Sequence, residues 1–164
     1  MVWARSGVLV IEAATRSTLP ETSSGIRVGE VTFTNSDLTR HHVYSFSPAR
    51  AFEFVLSPGE RSNPVRLERT GVVAVGCNIH DRMVAYLYVT DRRWYALTDK
   101  DGRATLTGVP EAGYDMQTWH PRLRPGRPGP VEPVTVGAGS NERAVSVALL
   151  HDPNRVPDRE RTRY

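Results

Sequence analysis

Apolar and polar residues alternate with a period of two through several short segments of this chain. Residues 30–35 place Val31 and Phe33 on one face, and residues 41–46 and 51–56 continue the pattern. This alternation is typical of β-strands with one buried face, whereas an amphipathic helix repeats every 3.6 residues. The segments are separated by turn-forming residues, so the sequence predicts many short strands packed as a sandwich or barrel.

Two turns and several further strands extend this prediction. Pro58 and Gly59 predict a turn after the strand at 51–56, because proline presets its own φ and glycine accepts the conformation that follows. An Asp-Gly turn at 99–102 predicts a hairpin. The remaining predicted strands are 7–12, 65–67, 72–77, 84–90, 94–98, 103–107, 114–119, 131–136 and 143–150. We therefore expect an all-β chain with units at 1–90 and 91–150 and a basic, disordered tail at 151–164.

Length and composition limit what the chain can be. Its 164 residues, 39% of them hydrophobic, are enough for a substantial core. No apolar run approaches the roughly 20 residues of a membrane-spanning helix, and the first six residues contain no hydrophobic signal-peptide segment. A net charge of +3 is too small to indicate nucleic-acid binding. We expect a globular protein with no membrane span and no nucleic-acid partner.

The stretch from Cys77 to Met83 carries the strongest chemical signal. Cys77, His80 and Met83 supply a thiol, an imidazole and a thioether at three-residue intervals, between two apolar runs. A lone cysteine after an apolar run is usually a small buried hydrophobe. His80, however, lies among polar residues, where packing gives no reason for a histidine. Two histidines, one cysteine and a weak methionine form an electron-transfer copper site, and the second histidine would be His41 or His42.

The same ligand set disfavours other metals. Zinc prefers thiolate, imidazole or carboxylate ligands, and a thioether is a poor donor to complete its shell. Iron–sulfur clusters need several thiolates, and this chain has one cysteine. The stretch therefore predicts one mononuclear copper ion as the cofactor.

Residues 31–35 followed by His41-His42-Val43 resemble the first-ligand region of plastocyanin-like cupredoxins. The spacing Cys77-x-x-His80-x-x-Met83 resembles the second-ligand loop of amicyanins. The phrases HHVYSFSPA and GCNIHDRMVAYLYV further resemble periplasmic cupredoxin-domain proteins of the methylamine utilisation type. The resemblance covers residues 8–90 and implies a Greek-key sandwich, a type 1 (blue) copper and one-electron transfer.

Carried over residue by residue, the resemblance aligns His41 with the upstream copper histidine and His42 with a position where asparagine is common. It implies four metal ligands: His41, Cys77, His80 and Met83. Three further residues are expected beside the metal, with His42 also an alternative ligand: His42, Asn35 and Arg82. Arg82 departs from the apolar or aromatic residue usual there and places a positive charge beside the edge that the resemblance implies for docking.

The second unit has its own resemblance. Thr98-Asp-x-Asp-Gly, Leu106-Thr-Gly-Val-Pro, Gly113-Tyr and Trp119-His-Pro are similar to motifs of carboxypeptidase regulatory-like, transthyretin-type sandwiches. This similarity covers residues 91–150. It implies a small transthyretin-like β-sandwich that follows the cupredoxin unit along the chain.

These resemblances imply a monomeric, periplasmic electron carrier with a transient redox partner protein, and not an enzyme. Copper delivery or sensing with the same ligands is the first alternative, and a metal-free interaction module is another. A hydrolase with Cys77 as nucleophile and His80 or His41 as base would need a third group to orient the base. The sequence does not reveal such a group.

Overall fold

The computed structural model describes residues 10–15, 29–78, 84–99, 101–124 and 129–151. These residues form ten strands: β1 Val10–Thr15, β2 Gly29–Val31, β3 His41–Ser47, β4 Arg50–Leu56, β5 Val65–Leu67, β6 Gly71–Cys77, β7 Val84–Val89, β8 Trp94–Leu97, β9 Ala112–Trp119 and β10 Val131–Val136. The described part of the chain contains no helix, so the all-β prediction is confirmed. In particular, no helix long and apolar enough to cross a bilayer occurs among these residues.

The strands divide into two compact units, and the first contains β2–β7. β4, β3, β6 and β7 form a four-stranded sheet in that order, and β2 pairs with β5 in a smaller sheet. Val65 and Leu67 of β5 share one hydrophobic core with Val43 of β3 and with Val73 and Val75 of β6. Antiparallel sheets that enclose a common core are consistent with the expected β-sandwich.

The predicted alternation is clear in β3. Its odd-numbered residues from His41 to Ser45 are buried, and its even-numbered residues face the other side of the sheet. β4 ends at Leu56, and the predicted turn follows it. There Gly59 has a φ of 75°, and the Glu60 N–H donates to the Ser57 carbonyl at 3.0 Å.

The second unit contains β1 and β8–β10, in the sheet order β10-β9-β1-β8. Sequence analysis placed the first strand, at 7–12, in the unit 1–90. In the structure β1 instead pairs with β8 and β9, with Ile11 opposite Ala96 on one side and Thr118 on the other. A period of two predicts that a segment is a strand, but it does not specify the sheet that the strand joins.

The predictions of strands at 103–107 and 143–150 are wrong, because neither segment pairs with a neighbouring strand. The Asp-Gly turn itself is present, with the Gly102 N–H donating to the Asp99 carbonyl. The Asp99 carboxylate accepts the N–H groups of Asp101 and Arg103 at 2.9 Å, and the Asp99 N–H donates to the Arg103 carbonyl at 2.8 Å. Pairing therefore begins at the turn but does not continue along 103–107. Most residues of 143–150 are exposed, so no buried face fixes a register there.

Candidate metal centre

β3 and β6, the two central strands of the four-stranded sheet, bring His41 and Cys77 together. The strands are antiparallel, with Val43 opposite Cys77. The Asn78 N–H continues this pairing by donating to the His42 carbonyl at 3.1 Å. Because His41 opens β3 and Cys77 closes β6, both residues lie at the same end of the sheet.

Both side chains point into the core side of the sheet. His41 is two residues before Val43 and therefore shares its face, and Cys77 shares the face of Val73 and Val75. His41 is 2% exposed and Cys77 is 5% exposed. The His41 Nδ1 lies 3.5 Å from the Cys77 Sγ.

This separation of nitrogen and sulfur fits two kinds of chemistry. With bond lengths of roughly 2.3 Å to sulfur and roughly 2.0 Å to nitrogen, two ligands of one tetrahedral ion are about 3.5 Å apart. A thiol and an imidazole at this distance can also share a hydrogen bond. His41 and Cys77 can therefore bind one metal ion together or act as a thiol–imidazole pair.

The other nitrogen of His41 contacts a residue that sequence analysis did not select. The Asp37 Oδ2 lies 2.7 Å from the His41 Nε2, and the Asp37 side chain is 48% exposed. An ionised carboxylate can only accept, so in the neutral ring the proton is on Nε2 and the lone pair is on Nδ1. A ligating histidine commonly donates its second N–H to a carboxylate in this way.

The pKa of His41 reflects these contacts. Burial is the strongest single influence and lowers it, but the hydrogen bonds and charges of Cys77 and Asp37 together raise the pKa above its ordinary value of 6.5. In the metal-free protein this ring binds a proton more readily than a free histidine does. A metal ion would have to displace that proton, because only the deprotonated nitrogen is a ligand.

Asn35 organises the loop that carries Asp37. Its buried side-chain amide donates to the carbonyls of Thr39 at 2.7 Å and Leu56 at 3.0 Å, and its Oδ1 accepts the Asp37 N–H at 2.9 Å. Asn35 was expected beside the metal. Its described contacts fix the backbone of the loop and join it to the end of β4, and its place beside a metal stays a prediction.

His42 lies on the opposite face of β3. Its Nε2 is 2.7 Å from the Glu53 Oε1, and its side chain is 26% exposed. Its ring meets the Tyr44 ring edge-on, with the ring centroids 6.4 Å apart. The structure thus brings His41, and not His42, beside Cys77.

The three expected residues of the following loop, His80, Arg82 and Met83, lie outside the described residues. Among residues that are described, no group of three or more histidine, cysteine, aspartate or glutamate side chains is close enough to hold a metal ion. Sequence reasoning missed Asp37. Its signal is an acidic residue in the short turn just before the histidine pair, two residues after an asparagine that can close that turn.

No model of a known protein family, no curated protein and no solved structure matches this chain.

Proposed function

We propose that this protein is a mononuclear type 1 copper protein and a one-electron carrier. The observation that carries the proposal is the buried pair of donors, the His41 Nδ1 and the Cys77 Sγ, 3.5 Å apart. His80 and Met83 would complete the ligand set. The proposal includes a Greek-key cupredoxin sandwich for the first unit and a transthyretin-like sandwich for the second, as the sequence resemblances imply.

The donor chemistry fits copper. A thiolate is a soft ligand, and an imidazole suits copper well. Both residues belong to strands of the sheet, which hold their backbones in place. Bound there, copper would supply a one-electron couple between Cu(I) and Cu(II). Val43 and Val75, which share the inward faces of β3 and β6 with the two ligands, are fully buried in the core, so the protein side of the site would move little when the charge changes. Limited movement favours electron transfer.

The remaining parts of this proposal follow from the resemblance alone. They are a periplasmic location, a monomeric state and a transient redox partner protein. A carrier, and not an enzyme, is proposed because the donor pair is buried and a substrate has little access to Cys77.

An absorption titration with Cu(II) tests the proposal. A copper–thiolate bond should give intense visible colour at one equivalent, and Cys77→Ser should remove the colour while the far-ultraviolet circular dichroism stays that of a β protein. A colourless copper-loaded wild type would overturn the assignment. Reversible voltammetry in the presence of a copper chelator separates a carrier, which retains its metal, from a delivery protein, which loses it.

One observation favours a second candidate function, thiol nucleophile chemistry. The Cys77 Sγ, the His41 ring and the Asp37 carboxylate form a continuous chain of contacts of 3.5 and 2.7 Å. Asp37 can serve as the third, orienting group that sequence analysis did not identify. Alkylation of the metal-free protein by iodoacetamide distinguishes the functions. A nucleophile should react faster than free cysteine, whereas a buried ligand thiol should react more slowly.

A further inference from the structure

Two histidines of β3 contact a carboxylate at the same distance. The Nε2 atoms of His41 and His42 both lie 2.7 Å from a carboxylate oxygen, of Asp37 and Glu53 respectively. Only the first pair is connected to Cys77, through the His41 Nδ1. The chain therefore contains a carboxylate–imidazole pair at the donor site and a matched pair on the other face of the same strand.

The carboxylate of Asp37 determines which nitrogen of His41 keeps a lone pair and can bind a metal ion. A neutral imidazole carries its proton on one nitrogen and its lone pair on the other, and the partner of one nitrogen fixes the state of both. Asp37 can only accept, so it holds the proton on Nε2. Nδ1, which faces the Cys77 Sγ, is left with the lone pair.

The backbone of Asp37 is held by a contact other than the one with His41. Its backbone N–H donates to the buried Asn35 side chain, which is itself tied to the carbonyls of Thr39 and Leu56. The carboxylate is therefore presented to the ring by a loop that is already closed. Because the Asp37 side chain is about half exposed, replacing it leaves those backbone contacts in place.

We propose that Asp37 is a positioning residue that selects the Nε2–H tautomer of His41. The lone pair on Nδ1 is then available to a metal ion beside Cys77, and the charge of Asp37 favours the more highly charged ion. The part about the metal rests on the proposed copper function. The carboxylate adds one negative charge behind the ligand, which stabilises Cu(II) more than Cu(I). Removing that charge should raise the reduction potential.

Two substitutions separate the hydrogen bond from the charge. Asp37→Asn keeps an oxygen that can accept the Nε2–H but removes the charge, whereas Asp37→Ala removes both. Glu53→Gln is the matched control, since it removes a carboxylate from an equally short imidazole contact on the opposite face. Under the proposal, Glu53→Gln leaves the tautomer of His41 unchanged.

The first measurement uses the full-length, metal-free protein. Long-range proton–nitrogen NMR, at a pH above the titration of the ring, should show the Nε2–H tautomer of His41 in the wild type, in Asp37→Asn and in Glu53→Gln. Asp37→Ala should give a mixture of tautomers. A wild-type ring protonated on Nδ1, or an unchanged tautomer in Asp37→Ala, would overturn the proposal.

The second measurement uses Cu(II) and Cu(I) as probes. Asp37→Ala should lower Cu(II) affinity by about 10- to 100-fold, with a smaller loss in Asp37→Asn and a raised potential in both. Equal affinities and potentials in Glu53→Gln and in both Asp37 variants would overturn the part about the metal. If the tautomers behave as expected but copper does not bind at Cys77, the copper function fails and the positioning role of Asp37 is supported.

Discussion

The two faces of β3 use the same residue type in different ways. His41 and His42 are neighbours, and each has its Nε2 2.7 Å from a carboxylate. His41 is buried and presents its second nitrogen to Cys77, whereas the His42 ring lies at the sheet surface beside Tyr44. Both residues are histidines with a carboxylate partner, so neither property distinguishes them. The alternation of β3 decides which histidine lies beside Cys77 and can bind a metal ion with it.

Burial also changes what each carboxylate contact contributes. The Glu53 contact is between two partly exposed groups, where ion pairs contribute little to stability. The Asp37 contact holds a ring that is surrounded by protein, where an imidazole without a partner would be costly. We therefore expect substitutions on the inner face of β3 to have large effects and substitutions on the outer face to have small ones.

The largest expected effect comes from replacing the two histidines. Under the proposed copper function, His41→Ala should abolish the blue absorption of the Cu(II) protein, because it removes the nitrogen beside Cys77. His42→Asn should keep the colour with a modest spectral change, because its side chain lies on the other face. Visible spectra of both variants at one equivalent of Cu(II) make the comparison, and the opposite result would transfer the ligand role to His42.

Asn35→Ala is expected to destabilise the fold by about 2–4 kcal/mol, since it removes the buried amide that bonds two carbonyls and one backbone N–H. Glu53→Gln, on the outer face, should change the free energy of unfolding by less than about 1 kcal/mol. Urea unfolding of the metal-free proteins measures both. Equal stability of the two variants would contradict the distinction between a buried polar group and an exposed ion pair.

A steric test on the outer face should have a smaller effect. A Cβ at Gly76 would lie 2.8 Å from the Tyr44 ring, so Gly76→Ala must displace that ring. The contacting atoms belong to the far end of a side chain that can move, and we expect a loss of about 1 kcal/mol, at the low end for overpacked sites. In a double-mutant cycle Tyr44→Ala should remove most of this loss, and simple additivity would show that the ring is not the obstacle.

The smallest expected effect is a dependence of stability on pH in the metal-free protein. The pKa of His41 is raised on folding, so the folded state binds this proton more tightly than the unfolded state does. The resulting stabilisation is complete below the unfolded value near 6.5 and is lost as pH rises through the folded pKa. Urea unfolding across this range should show the decline, and Asp37→Asn should reduce it.

Local patterns predicted much of the first unit. β3, β4, β6 and β7 each begin and end within one residue of the predicted strands, because one buried face fixes the positions of such strands. The partners of β1 could not be predicted in this way, because pairing across the chain is set by packing and not by local period. The prediction of a strand at 103–107 was likewise wrong, because the pairing that begins at the Asp-Gly turn does not continue along that segment.

The candidate site was predictable to a similar extent. Cys77 and the histidine pair stand out by residue type and spacing, although spacing alone left His41 and His42 as alternatives. The choice between them depends on which residue of β3 lies on the side of Cys77, and that follows from the register with β6. Asp37 reaches His41 because Asn35 closes the turn that carries it. Residue types alone do not specify the conformation of that turn.

The register of β3 and β6 also has a consequence for refolding. A slip of two residues would keep the same side chains inward, yet at about 3.3 Å per residue it would move His41 about 7 Å along Cys77's strand. A collapsed chain with misaligned strands would thus bury the same apolar faces without joining its two donors. Under the proposed copper function, colour in a stopped-flow experiment with copper present should report correct strand alignment, while circular dichroism and fluorescence report the earlier collapse.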